Sequence, residues 1–419
     1  MTREYRLFPR QVEAEASLRA GSFVLNWDMR LGKTRACLHA FDRLWQAGGP
    51  KIAIVVCPSI AKGVWAHEQQ DMGLQLPLIK LDGTVNKRAT GERIHGLPLL
   101  VIVNWDIVDA HLPELLELVQ KERAVLILDE THDHCCNPRN QRYRAVKDLA
   151  MLADRVWILT GTLYRTTAMD YYWQLRLLGP TFPWYYTKIK DFGGRFSTPK
   201  YNRFSKRDEY KGVRNEADML DPCAHIIDRR LEELEEVPTE QVWWLDEGER
   251  WRYAGGDDQG AMSRARAELS ELKAVRTVEL VRRIRHDGEP MVVFGWHKRF
   301  THKVATELGG VIIDGDTSES NKTQRIADFN AGVVDVIVVN IKSGGVAIDL
   351  ARARHAVFGE VDWVAANMAQ AEARIRGPKQ KQRVSYTYVL CSDSVDEFVW
   401  RTMLGRGRDM ARLDARLVG

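Results

Sequence analysis

Short apolar runs, each closed by a turn or a polar pair, recur through the first third of the chain. They are "SFVLNWD" at 22–28, "KIAIVVCPS" at 51–59, "PLLVIVNWD" at 98–106, "AVLILDETH" at 124–132 and "RVWILTGT" at 155–162. Between them lie stretches of helical spacing such as "ACLHAFDRLWQ" at 36–46. Runs this short, rich in Val and Ile and separated by helices, predict parallel strands buried on both faces. The rhythm stops between about 165 and 285 and then restarts with "PMVVFGWH" at 290–297, "GVIIDGD" at 310–316, "VDVIVVNIKSGG" at 334–345, "HAVFGEVDW" at 355–363 and "RVSYTYVLC" at 383–391. The pattern therefore predicts two α/β domains, the second of about 140 residues. A helical, basic tail, "SVDEFVWRTMLGRGRDMARLDARL", follows and is expected to return to the first domain.

A length of 419 residues agrees with two domains. With 45% hydrophobic and 28% charged residues the chain reads as soluble and globular. No apolar run reaches the roughly 18 residues of a membrane span, and the charged start "MTREYRLFPR" has no secretory core. The six cysteines form no Cys-x-x-Cys pair and read as reduced cytosolic thiols rather than zinc ligands or a disulfide frame. A net charge of +4 permits a nucleic-acid partner without requiring one.

In parallel α/β sheets the chemistry sits at the C-terminal strand ends, and the unusual turns fall there. "NWDMRLGKTRA" at 26–36 ends in Gly32-Lys33-Thr34, which suits a phosphate and a magnesium ion, but Trp27 stands where the phosphate-loop pattern has its first glycine. Asp129 and Glu130 follow five apolar residues, and Asp129 lies 96 positions after Lys33. Carboxylates in that setting call for a cation or hydrogen bonds. Asp129 suits a metal ligand and Glu130 a base that orients the attacking water. A lone histidine such as His132 is ordinarily a satisfied hydrogen-bonder, so its expected part is coupling.

The ordered motifs resemble those of superfamily-two helicases, and most closely the small annealing-helicase branch of the Swi/Snf-type DNA translocases. "LFPRQ" at 7–11 resembles the adenine-sensing motif, with Gln11 as its glutamine. "VVCPSIAKGVWAHE" at 55–68 resembles the first DNA-contact motif. "DETHDHCCNPRNQRYRAV" at 129–146, "LTGT" at 159–162, "IIDRRLEELEEVPTEQ" at 226–241, "DGDTSESNKTQRIADFN" at 314–330, "IKSGGVAIDLARARHAVFGEVDW" at 341–363 and "QAEARIRGPKQ" at 370–380 follow in family order.

The resemblance implies two RecA-like parallel-sheet lobes with ATP in the cleft between them. Lobe one spans 1–165, a basic and aromatic insertion with the return to lobe two spans 166–235, a helical linker 236–285, and lobe two 286–419. It implies ATP and Mg²⁺ as cofactors. Gln11, Leu31, Gly32, Lys33, Thr34 and Arg35 would meet the nucleotide, and Thr34 and Asp129 the metal. Lys33, Glu130, Arg374 and Arg376 would be catalytic. His132, Thr160, Gly161, Thr162, Gly345, Asp349 and Gln370 would couple the lobes. The family loop reads approximately D-E-M-G-L-G-K-T, so the missing first glycine is no obstacle. Arg30 replaces a glycine, however, and needs a negative φ or tolerated strain. The second arginine of the family pattern falls at Gly377. Arg376 stands one residue early, a rotation of about 100° if the segment is helical, so Arg374 and Arg376 are both candidates for the finger.

The segment 181–214 holds nine aromatics and nine Lys/Arg against three acids. That mixture suits a nucleic-acid backbone, with Lys200, Arg203, Lys206 and Arg207 as phosphate contacts and Trp184 and Tyr185 as core. The expected activity is an ATP-dependent translocase or helicase on double-stranded or branched DNA. An RNA helicase of the same superfamily and a non-hydrolysing ATP-binding clamp are the alternatives. A monomer with no membrane partner, acting in bacterial or phage-infected cytoplasm, suits so small a core.

Overall fold

Every apolar run named above becomes a strand in one of two parallel sheets. The computed structural model describes residues 7–83, 98–202, 207–232, 236–247, 251–252, 259–342, 348–376 and 380–418, with only the backbone described for Arg207 and Gln259. The chain forms two compact units, Met1–Glu232 with Asp409–Gly419, and Glu233–Arg408.

The first unit runs α1 (Pro9–Ala20), β1 (Phe23–Trp27), α2 (Lys33–Gln46), β2 (Ile52–Cys57), α3 (Ala61–Asp71), β3 (Leu78–Lys80), β4 (Leu99–Asn104), α4 (Leu112–Lys121), β5 (Ala124–Asp129), the single turn α5 (Thr131–His134), α6 (Gln141–Leu152) and β6 (Arg155–Thr160). Then come α7 (Ala168–Leu175), α8 (Ile189–Phe196), an antiparallel hairpin of β7 (Thr198–Asn202) and β8 (Arg207–Lys211), α9 (Glu216–Leu220) and β9 (Ile227–Arg230). The sheet order is β3-β4-β2-β5-β6-β1-β9, parallel throughout. All six residues of β2, of β4 and of β5 are buried, as strands covered on both faces must be.

The insertion expected at 166–235 belongs to this unit. Its aromatics (Tyr171, Tyr172, Phe182, Phe192, Phe196) are buried in the same core as the strands, and β9 adds a seventh strand beside β1.

The second unit runs β10 (Thr239–Leu245), α10 (Gln259–Ile284), β11 (Met291–Gly295), α11 (Lys298–Leu308), β12 (Val311–Ile313), α12 (Glu319–Ala331), β13 (Val336–Asn340), β14 (His355–Phe358), α13 (Ala365–Glu372), β15 (Ser385–Cys391) and α14 (Val395–Leu417). Its sheet order is β10-β15-β14-β11-β13-β12, again parallel. The stretch 236–285, expected as a linker, is structural here. β10 pairs with β15 over seven residues, and α10 buries Leu269, Ala274, Val278 and Val281.

The last turns of α14 fall in the first unit, where Leu413 joins the core and Asp414 is buried. Lobe two, expected to run to 419, therefore gives up its final residues, because Leu413 and Asp414 find their burial there. No helix among the described residues is long and apolar enough to cross a membrane.

Candidate active site

The C-terminal ends of β1, β5 and β6 assemble the first-unit site. β1 runs into a loop that ends at Gly32, the cap of α2, with φ +81°. The positive φ favours glycine, and a Cβ there would stand 2.1 Å from Gln11 Nε2 and push that amide aside. Gln11 is buried. Its Nε2 donates to Gly32 O at 3.1 Å, and its Oε1 accepts from Phe8 N at 2.8 Å. Arg10 Nε donates to Leu31 O at 3.1 Å, so α1 holds the loop by two backbone carbonyls. Lys33 is buried, and its Nζ donates to Trp27 O at 2.8 Å and to Asp28 O at 3.2 Å. Thr34 is half-buried in the first turn of α2. Arg35, expected beside a nucleotide, is directed instead to α3, where it pairs with Glu68 at 2.7 Å and with Asp71.

Arg30 resolves its two options in favour of strain, with φ +65°. A non-glycine residue there costs on the order of 1–2 kcal/mol. Arg30→Gly is therefore expected to match or exceed the wild-type melting temperature, the relief of strain being offset by added unfolded-state entropy. Arg30→Val, β-branched in the same backbone, should melt below Arg30→Gly by an amount equivalent to about 1–2 kcal/mol. Equal melting temperatures for the two variants would contradict the strain.

Asp129 ends β5 and is held by two buried indoles. Trp65 Nε1 from α3 donates to its Oδ2 at 3.0 Å, and Trp105 Nε1 donates to its backbone O at 2.9 Å. Burial, with Glu130 adjacent, pushes the Asp129 carboxyl up to about 7, against the pull of the Trp65 hydrogen bond and the Lys33 ammonium. Glu130 has φ +54°, a second strained residue in the site. Its Oε2 is buried without a hydrogen bond, 3.3 Å from His132 Nδ1.

His132 is fully buried, and its Nδ1 lies 2.9 Å from Thr160 Oγ1. The Thr160 hydroxyl donates its only proton to Thr162 O at 2.7 Å, so Nδ1 carries the imidazole proton and donates to Thr160. Thr162 repeats the device, donating to Tyr164 O at 2.8 Å. Arg165 then returns to His132 O at 3.1 Å. The turns after β5 and β6 are thus one hydrogen-bonded unit, with Gly161 between the two threonines. Trp65, Trp105, Arg10 and Arg165 were missed by the sequence reading. Trp65 had a signal, since it is a tryptophan inside the quoted 55–68 motif.

In the second unit, Gln370 is buried on α13, which ends at Glu372. Arg374 is buried in the turn that follows, its carbonyl accepting from Leu350 N at 3.0 Å, and Arg376 is partly buried beyond it. Both arginines lie past the helix, so the rotation expected for a one-residue shift along a helix does not apply. Asp349 Oδ1 accepts from Ala351 N at 3.1 Å. Gly345, expected to couple the lobes, lies outside the described residues.

The Glu372 carboxyl takes a hydrogen bond from Tyr388 at 2.9 Å, yet burial pushes it up to about 7 from 4.5, with Glu240 adding to the rise and Arg376 opposing it. A carboxyl raised in this way stabilises the fold fully below about pH 4.5, and the contribution is lost as the pH climbs through 7. Glu372→Gln should therefore be stabilised over wild type by up to about 3 kcal/mol at pH 8 relative to pH 5. Thermal melts at the two pH values would show no such difference if the carboxyl ionises freely.

Of the basic segment, Trp184 is partly buried, donates Nε1 to Met219 O at 3.0 Å and meets Phe196 edge-on. Tyr185 packs beside it on the core. Lys200 is exposed on β7, opposite Glu209 of β8, and the backbone of Arg207 pairs with Asn202. Arg203 and Lys206 lie outside the described residues.

Residues 273–376 match the helicase conserved C-terminal domain. The chain is 27% identical over 417 residues to the Bos taurus SWI/SNF-related matrix-associated actin-dependent regulator of chromatin subfamily A-like protein 1, covering 91% of this chain and 42% of the relative. It is 26% identical to the Caenorhabditis elegans homolog, covering 94% and 60%. With the Homo sapiens DNA annealing helicase and endonuclease ZRANB3 it shares 21% identity, covering 91% and 38%. The chain thus spans between 38% and 60% of the length of these relatives. Among solved structures, the Sulfolobus solfataricus SWI2/SNF2 ATPase core in complex with dsDNA overlaps 98% of this chain and 94% of its own, at a TM-score of 0.46 and 16% identity.

Proposed function

We propose that this chain, which belongs to the Swi/Snf type of the superfamily-two helicases, is a DNA-dependent ATPase that uses hydrolysis to move along or remodel double-stranded or branched DNA. The observation that carries the reading is the grouping of Lys33, Asp129, Glu130 and the His132–Thr160 pair on adjoining strand ends of one parallel sheet. The DNA reading is further supported by relatives described as a chromatin regulator and as DNA annealing helicases.

The residues present fit a magnesium ion. Thr34, Asp129 and Glu130 offer hard oxygen donors, and Glu130 Oε2 is buried with no hydrogen bond of its own. Thr34 and Asp129 would hold the ion, which when bound neutralises phosphate charge. The remaining work falls to side chains of the chain itself. Lys33 exchanges the carbonyls of Trp27 and Asp28 for phosphate oxygens, and Gln11, fixed against Gly32, meets the adenine. Glu130, held in a strained backbone, accepts the proton of the attacking water. His132 and Thr160 pass the state of that carboxylate to the β6 turn. Arg374 and Arg376 stabilise charge on the transferred phosphoryl group.

ATP turnover measured with blunt duplex, forked duplex, four-way junction, single-stranded DNA and RNA tests the proposal. Stimulation by duplex or branched DNA is expected. Stimulation by RNA alone would transfer the activity to RNA, and ATP binding without turnover on any substrate would leave a clamp.

A further inference from the structure

β9, paired with β1, also holds the start of the loop between β1 and α2. Trp27 Nε1 donates to Asp228 Oδ2 at 2.9 Å, and the Arg230 guanidinium lies 5.2 Å from the Trp27 ring centroid. Asp28 N donates to Arg230 O at 2.9 Å, continuing the strand pairing into the loop. Between them Arg229 is almost wholly buried, and its donors are divided between two places. Nη1 reaches Asn26 O at 3.0 Å and the Asp28 carboxylate at 2.7 Å. Nε and Nη2 form a fork on the two oxygens of Asp414, both at 2.9 Å. Asp414 stands near the end of α14, 185 positions from Arg229 along the chain. The two carbonyls that hold the Lys33 ammonium, those of Trp27 and Asp28, lie in the segment that Arg229 and its neighbours grip.

We infer that Arg229 is a positioning residue of the phosphate loop, and that Asp414 orients it. A guanidinium is a planar fork whose direction is set by its best bidentate partner. With Asp414 fixing Nε and Nη2, Nη1 is turned toward Asn26 O, the Asp28 carboxylate and Arg230 O, itself the acceptor of Asp28 N, and the loop segment that carries the Lys33 carbonyls is set before nucleotide arrives. The arrangement also gives Trp27 and Asp28 their partners. Trp27 is shaped to Asp228 and Arg230, and Asp28 is short enough to meet Arg229 directly. The inference rests on the reading of Lys33 as a phosphate ligand.

The experiment measures binding of a fluorescent ATP analogue, ATPase KM and kcat, and melting temperature for wild type and four variants. Lys33→Ala tests the site itself and should lose analogue binding. Asp414→Asn keeps volume and removes the charge. It should raise the analogue Kd and the KM for ATP about ten-fold, the worth of one charge-assisted hydrogen bond, with kcat at saturating ATP nearly kept. Asp414→Glu should restore KM toward wild type. Arg229→Lys, which retains charge but cannot grip both places at once, should raise KM at least as much as Asp414→Asn. If Lys33→Ala loses binding while Asp414→Asn and Arg229→Lys keep wild-type KM, or lose activity only as their folded fraction falls, Arg229 is a packing residue and the inference is overturned. If Lys33→Ala binds the analogue as wild type does, the ATP-site reading fails and the inference fails with it.

Discussion

Glu130→Gln is expected to bind ATP and hold it, with turnover lowered by about 10²–10⁴, the usual contribution of a general base. The amide keeps the size of the carboxylate and its place in the αL turn at φ +54°. On the proposed roles it leaves Lys33 and Asp129 to bind and removes only the carboxylate assigned to accept the proton of water. Lys33→Ala should fail differently. It removes an ammonium that is buried against Trp27 O and Asp28 O, and so loses affinity as well as turnover. Steady-state rates, with analogue binding measured alongside, separate the two outcomes. Normal turnover in Glu130→Gln would remove this carboxylate from the chemistry.

The second large effect concerns Arg374 and Arg376. Arginines that stabilise charge on a transferred phosphoryl group are worth about 10³–10⁵ in rate, and Arg376→Ala is expected to lower kcat within that range with a much smaller change in ATP affinity. Arg374→Ala carries an added structural cost. Arg374 is 1% exposed in the turn after α13, so its loss disturbs packing as well as charge. Melting temperatures therefore accompany the kinetics. If Arg374→Ala alone reproduces the loss of kcat at an unchanged melting temperature, the finger is Arg374 and the family register holds without displacement.

The strand ends were legible because an apolar run buried on both faces leaves its chemistry only one place to go. Asp129 and Glu130 could be named from that, Lys33 from the Gly-Lys-Thr tripeptide at the same kind of strand end, and the coupling parts of His132 and Thr160 with the family resemblance beside it. The conformation of Arg30 was legible only as a choice, since a loop lacking glycine can bend or strain, and spacing does not say which. The supports of the site were scarcely legible, Trp65 only as a tryptophan inside the 55–68 motif. Trp65 and Trp105 serve Asp129 through indole N–H groups that arrive from elements 64 and 24 positions away. β9 was hidden because four residues reading Ile-Asp-Arg-Arg lack the apolar run of a central strand. As an edge strand it buries Ile227 and Arg229 and leaves Asp228 and Arg230 partly exposed. The stretch 236–285 showed its helix, Gln259–Ile284, but not the strand that precedes it, for a related reason. β10 is an edge strand with exposed Val242 and Trp244, and α10 shows a helical pattern whatever it packs against.

The division of the first unit into residues 1–232 and 409–419 bears on synthesis. A ribosome that has just made Arg229 must make all of 233–408 before Asp414 exists. At 5–20 residues per second this takes roughly ten to forty seconds. During that interval Asp28 is the carboxylate partner of Arg229 that the nascent chain already carries, and the sheet next to the loop waits for its last buried counter-charge. A nascent first unit is therefore born one ion pair short, and the same step that delivers the end of α14 completes it.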